Sequence, residues 1–117
     1  MGDPFLSVII PAFNEVERIV PTLEDVVAYL TSQSYSWEVL VVDDGSSDGT
    51  AALTARMAEE EERLRVETVP HGGKGWAVRH GMLAATGEYR FMCDADLAMP
   101  IEQLGGFLEH MAKGYEV

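Results

Sequence analysis

Three short runs of this chain are apolar almost without interruption: "LSVII" (6–10), "WEVLVV" (37–42) and "EYRFMC" (88–93). A strand with one wet face alternates apolar and polar residues. Near-continuous runs instead mark strands covered on both faces, as in a parallel sheet. "LRVETV" (64–69) is a fourth strand, and Pro11 is expected to end the first. The intervening segments have helical spacing. "ERIVPTLEDVVAYLTSQ" sets Leu23, Val26, Val27 and Leu30 on one stripe, with Pro21 in its first turns. "SSDGTAALTARMAEEEER" opens on Ser47 and Asp48, both N-cap candidates, and "KGWAVRHGMLAAT" runs toward Gly87, read as a C′ glycine. After the fourth strand, Pro100 suits a helix N1 position and Leu104, Phe107, Leu108 and Met111 form another stripe. Gly114 then ends the helix and "YEV" opens a fifth strand. Strand–helix alternation implies right-handed crossovers, so the expected class is α/β: an open, mostly parallel sheet with helices on both faces.

The 117 residues suffice for one domain, and with 47% hydrophobic and 24% charged residues they should bury a core. No apolar run approaches the roughly 20 residues that span a bilayer. "LSVIIPAF" is too short for a secretory h-region and lacks a basic n-region, so a cytoplasmic location is expected. The formal net charge of −12, from 20 acidic against 8 basic residues, argues against nucleic acid as a partner. Part of that excess is "EEEER" (59–63), read as the solvated end of a helix. A single cysteine, Cys93, excludes an internal disulfide and a Cys-based zinc cage, and its apolar setting suits a small core residue.

Open α/β sheets bind ligands beyond the carboxyl ends of their strands. Here those ends lead into "PAFNE", "DDGSSDGT", "PHGGKG" and "DADLAMP", which converge on one edge. Asp94 and Asp96 share a face if the strand stays extended, with small Ala95 turned the other way. Two carboxylates so placed repel unless a cation lies between them. Hard oxygens suit Mg²⁺ or Mn²⁺, which completes its shell with water and substrate phosphates. Of Asp43 and Asp44, one can accept from a nucleobase N–H or a ribose hydroxyl while the other ties down its loop. "HGGKGWAVRHG" offers Lys74 and a helix start to an anionic phosphate, but it is neither a P-loop nor a dinucleotide fingerprint. His71, His80 and His110 fit no ligand spacing and are assigned surface or core roles.

Taken in order, "SVIIPAFNE", "VLVVDDGSSDGT", "GGKGWAVRHGMLAATGEY" and "FMCDADLAMP" resemble the family 2 glycosyltransferases of GT-A fold, a Rossmann-like nucleotide-diphospho-sugar transferase architecture. Within that family the pattern looks most like the polyprenyl- (dolichyl-) phosphate glucosyl- and mannosyltransferases, and it covers nearly the whole chain. The resemblance implies that Pro11, Phe13 and Glu15 line the nucleotide pocket and that Asp44 contacts the base. It also implies that Asp94, Ala95 and Asp96 form the D-x-D, Asp94 and Asp96 being the catalytic, metal-holding pair and Asp96 the direct ligand. Lys74 matches a lysine of the glucosyl-type "GKG" loop. Ala98 stands where mannosyl relatives often carry a further metal-binding glutamine, which favours the glucosyl type or another branch of the family.

The implied reaction is an inverting transfer of a hexose from UDP-glucose or GDP-mannose to an acceptor, a polyprenyl or dolichyl phosphate or another sugar. The implied domain organisation is a single unit, residues 1–117, forming the nucleotide-sugar-binding N-terminal part, with the acceptor-binding part outside it. Membrane association at the cytosolic face is expected of the full-length protein, and self-association through an open sheet edge is expected as well. Two rivals place an acidic pair differently. A haloacid-dehalogenase phosphatase carries its D-x-D after the first strand, and a response-regulator receiver carries its acidic pair there too. Here three strands precede the D-x-D and Asp43–Asp44 follow the second.

Overall fold

The computed structural model describes residues 3–95. In chain order the elements are β1 (Leu6–Ala12), α1 (Ile19–Thr31), β2 (Trp37–Asp43), α2 (Thr50–Glu60), β3 (Leu64–Thr68), α3 (Lys74–Ala84) and β4 (Tyr89–Met92). The described strands form one sheet in the order β3-β2-β1-β4, and every pairing is parallel. The expected α/β sheet is therefore present. Asp96, Ala98, Pro100, His110, the expected fourth helix and the "YEV" strand lie outside the described residues.

Period-two alternation sorts the sheet into two cores. Leu6, Val8, Ile10 and Ala12 of β1, with Val39 and Val41 of β2, face α1, while Leu53, Met57 and Ala58 of α2 pack on the same side. Ile9, Leu40 and Val42 face the other way, against Ala77 of α3. The near-continuous apolar runs are thus explained by cover on both sides. Helix α1 has no side-chain N-cap bond. Its Ile19, Leu23, Val26 and Leu30 are fully buried. At about 1.5–3 kcal/mol for each such side chain, against about 1 kcal/mol for a cap, packing is what holds this helix.

Three boundaries differ from the sequence reading. Pro11 does not end β1, which continues to Ala12 with Pro11 opposite Val42. The Ile9 carbonyl accepts from Cys93 N–H, so Ile9 and, two residues on, Pro11 turn their backbone polar groups toward β4. The ladder to β4 stops at Ile9–Met92, so the N–H that proline lacks has no rung to fill. Helix α3 ends at Ala84 with Ala85 as its cap, which removes Gly87 from the C′ role. Glycine is required at 87 for another reason: a Cβ there would collide with Ser7 and the Leu6 carbonyl carbon. Helix α2 is capped not by Ser47 or Asp48 but at Gly49, whose φ of 94° is left-handed.

Candidate functional site

The loops leaving β1 and β2 are stitched together before any ligand is considered. Asn14 takes a φ of 53°, a left-handed conformation that asparagine tolerates. Its N–H donates to Ser46 Oγ at 2.8 Å and its Oδ1 accepts from Ser47 N–H at 2.9 Å. Glu15 N–H donates to Thr50 Oγ1 and Val16 N–H to Asp48 Oδ2. Asp48 also accepts from the N–H and hydroxyl of Thr50. The Thr50 hydroxyl bond, with the backbone donors, holds its carboxyl below the usual range. Asp48 is thus a cross-brace between two loops, although it is not the helix cap.

The two adjacent aspartates have different surroundings. Asp43 is fully buried; its Oδ2 accepts from Ser46 N–H at 3.0 Å, and its Oδ1 has no partner among the described residues. Asp44 reaches across to the loop after β3. Its Oδ1 accepts from Gly72 N–H at 2.8 Å and its Oδ2 from Gly73 N–H at 3.0 Å. His71 Nδ1 lies 3.0 Å from Asp44 Oδ2 and 3.1 Å from the Asp44 carbonyl. The His71 ring also stacks on Phe13, with centroids 4.4 Å apart and planes at 28°. Gly45 allows this seat, since a Cβ there would lie 2.9 Å from His71 N.

Strand β4 stops at Met92, so Asp94 stands beyond the strand and Ala95 is in a turn. The premise of a strand extended through the D-x-D therefore does not hold at Asp94. Instead, the segment is fixed by Cys93 N–H donating to the Ile9 carbonyl and by the Thr22 hydroxyl donating to the Ala95 carbonyl. Cys93 is a buried core residue, as its setting suggests. Asp94 pairs with Lys74, which begins α3. Glu15 makes a two-pronged pair with Arg18 at 2.7 and 2.9 Å.

These groups surround one cavity of about 320 Å³ at the carboxyl ends of the strands. Of the residues singled out in the sequence, Pro11, Phe13, Glu15, Asp44, Lys74, Asp94 and Ala95 line it. Asp43 does not, and Asp96 lies outside the described residues. His71 is exposed, as the surface role expected of it requires, and it also lines the cavity. No spacing rule marks His71, because its partners Phe13 and Asp44 are distant in sequence. The available signal was its position inside a loop already assigned to the ligand edge.

The glycosyl transferase family 2 model matches residues 7–117. The chain belongs to that family. It is 38% identical over 108 residues to a dolichyl-phosphate beta-glucosyltransferase of Trichomonas vaginalis, covering 87% of this chain and 32% of that protein. It is 35% identical over 116 residues to the dolichyl-phosphate beta-glucosyltransferase of Saccharomyces cerevisiae, covering 93% of this chain and 35% of the relative. Among solved structures, the mannosyltransferase PcManGT of Pyrobaculum calidifontis, in complex with GDP-Man and Mn²⁺, superposes with a TM-score of 0.65. It is 34% identical, with 80% of this chain and 28% of that one covered. The chain thus spans about a third of the length of these relatives.

Proposed function

We propose that this chain supplies the nucleotide-sugar-binding part of an enzyme that transfers a hexose, with inversion, to a polyprenyl or dolichyl phosphate. The observation that carries the reading is the convergence of Phe13, Glu15, Asp44, Lys74 and Asp94, from the segments that follow the four strands, on one cavity. In this reading Pro11, Phe13 and Glu15 form the nucleotide wall and Asp43 and Asp44 organise its base end. Lys74 offers its ammonium group to the diphosphate. The donor is UDP-glucose or GDP-mannose. The relatives' names and Ala98 favour the glucosyl form.

Among the described residues no cluster of three or more His, Cys, Asp or Glu could hold a metal by itself. The donor set still fits one chemistry. Asp94 brings a partly exposed carboxylate to the cavity wall, and Asp96 follows two residues later. A Mg²⁺ or Mn²⁺ ion held by the two would draw its other ligands from water and the nucleotide. When bound, such an ion acts as a Lewis acid for the departing nucleoside diphosphate. A lipid phosphate acceptor is already anionic at neutral pH, which lowers the need for a strong general base. It would also bring the full-length enzyme to a membrane surface. Among the described residues no helix is long and apolar enough to cross one.

The test is a calorimetric panel of UDP, GDP, UDP-glucose and GDP-mannose with Mn²⁺ or Mg²⁺, repeated in EDTA and with Asp96→Asn. Binding should need the metal, and the substitution should weaken it by about 1.5–3 kcal/mol, the scale of a charge-assisted contact. Affinity indifferent to both EDTA and Asp96→Asn overturns the metal assignment. Absence of binding throughout overturns the nucleotide reading.

A further inference from the structure

We propose that the outer face of α3 rests on a bilayer carrying anionic lipid, with Trp76 and Leu83 entering the headgroup layer and Arg79 and Arg90 meeting its phosphates. The inference rests on the lipid-acceptor reading and goes beyond it by naming the face that meets the membrane.

The first observation is exposed apolar surface. Among the described residues the exposed large hydrophobic side chains are Phe13, Trp76 and Leu83. Phe13 belongs to the cavity, whereas Trp76, 51% exposed, and Leu83, 75% exposed, both stand on α3. At about 100° per residue, Trp76, Arg79 and Leu83 fall within roughly 60° of arc. Ala77 and Gly81 point the other way and are buried, and a Cβ at Gly81 would collide with Ile9 of the sheet. The helix cannot roll to hide its stripe without lifting those two residues off the sheet.

The second observation is charge. The chain has 20 acidic and 8 basic residues, yet residues 68–87 contain no Asp or Glu. Arg18, Arg63 and Arg65 each pair with a glutamate. Arg79 is exposed and makes no hydrogen bond or ion pair among the described residues. Arg90 donates to the Met82 carbonyl at 2.7 Å, which holds its guanidinium against the end of α3 with no carboxylate partner among the described residues. Glu67, which faces α3 from β3, is already shared by Arg65 and His80. Tryptophan and leucine beside unneutralised arginines suit an interfacial helix on an anionic surface, where each cation adds about fivefold to partitioning. The acidic run at residues 59–62 lies at the end of α2, on the other side of the sheet. Salt screens charge over roughly 8 Å, so that run does little to repel the surface.

Position links the face to the reaction. Lys74 and Ala77 of α3 line the cavity, and Trp76 leans on the loop before it, where a Cβ at Gly72 would lie 2.7 Å from the indole. A bilayer on this face brings its headgroups beside the cavity that a lipid phosphate has to reach.

The test is cosedimentation of the full chain with vesicles of phosphatidylcholine alone or mixed in equal parts with phosphatidylglycerol. Wild type should bind the anionic vesicles, and its tryptophan emission should shift to the blue and be quenched by brominated lipid. That signal reports Trp76, because Trp37 is buried. Arg79→Glu and Leu83→Glu alter exposed side chains, so the fold should survive both. Arg79→Glu, two charge steps, should cut partitioning about thirtyfold, and Leu83→Glu by a similar factor. Arg56→Glu makes the same charge change on α2, across the sheet, and should alter it by less than about twofold. Indifference of the wild type to anionic vesicles, or binding that survives both α3 substitutions, overturns the inference. So does dimerisation abolished by Leu83→Glu in place of vesicle binding, which would make the face an interface between copies. Vesicle binding without nucleotide binding instead overturns the donor-site reading and leaves this face standing.

Discussion

The two ends of the sheet each carry carboxylates shielded at least in part from solvent and a concavity, but they use them differently. At the amino ends, Glu38 accepts from the Ser7 hydroxyl at 2.5 Å, from Thr86 N–H at 2.8 Å and from Arg65 at 3.4 Å. Burial alone would raise its carboxyl, yet the Ser7, Thr86 and Arg65 contacts outweigh it and hold the group below the usual range. Arg65 also pairs with Glu67 and donates to the Ala84 carbonyl, while Arg63 pairs with Glu61 and lies 4.1 Å over the Trp37 ring. The concavity there is about 370 Å³, somewhat larger than the one at the carboxyl ends. Size therefore does not identify the site. At the amino ends the charges join in one network around Glu38 and Arg65, whereas at the carboxyl ends they form separate pairs, Lys74–Asp94, His71–Asp44 and Glu15–Arg18, around the cavity.

The comparison is broken most severely at Glu38. Replacing it by alanine leaves the Ser7 hydroxyl, the Thr86 N–H and Arg65 short of a partner, so stability should fall by about 3 kcal/mol in urea unfolding, with nucleotide affinity unchanged. Because its folded pKa lies below the ordinary value, Glu38 contributes stability above the ordinary glutamate range and loses that contribution as pH falls through the folded value. Urea midpoints should drop in that acid window for the wild type and less steeply for Glu38→Gln. Equal slopes would show that the network is not what holds the amino end.

The carboxyl end should respond in the opposite sense. Lys74→Ala should weaken nucleotide binding about tenfold by calorimetry. Stability should change by no more than about 0.5 kcal/mol, since the Lys74–Asp94 pair is exposed on the lysine side. A large loss of stability with intact binding would reclassify this pair as structural. The smallest effect is expected at Tyr35, whose hydroxyl is buried without a partner among the described residues. Burial, with Tyr29 nearby, pushes that hydroxyl up to about 12. Tyr35→Phe should therefore be neutral or stabilising by up to about 1 kcal/mol, visible as an unchanged or higher melting midpoint.

The sheet was legible because burial on two faces leaves a one-dimensional trace: apolar runs such as residues 37–42 need no knowledge of partners. The edge that carries the cavity was legible because topology sends every parallel strand's carboxyl end to one side. What local pattern did not give were features set by tertiary contacts. Pro11 remains in its strand because β4 is short. Gly87 is required by Ser7, 80 residues away, and not by a helix end. His71 enters the cavity because Asp44 and Phe13 hold it there. Each depends on a pairing between segments that no short window of sequence contains.

The strand order has a consequence for the path by which the chain folds. β1 meets β2 across a separation of 31 residues, but it reaches the β4 region only across 80. Closing the longer loop costs more entropy and must wait for more of the chain to exist. Synthesis from the amino terminus thus allows β3-β2-β1 to assemble first, bringing Phe13, Asp44 and His71 together while Asp94 is still to arrive. The cavity is built in two stages, and the half that would grip a base can be complete before the half that would hold a diphosphate.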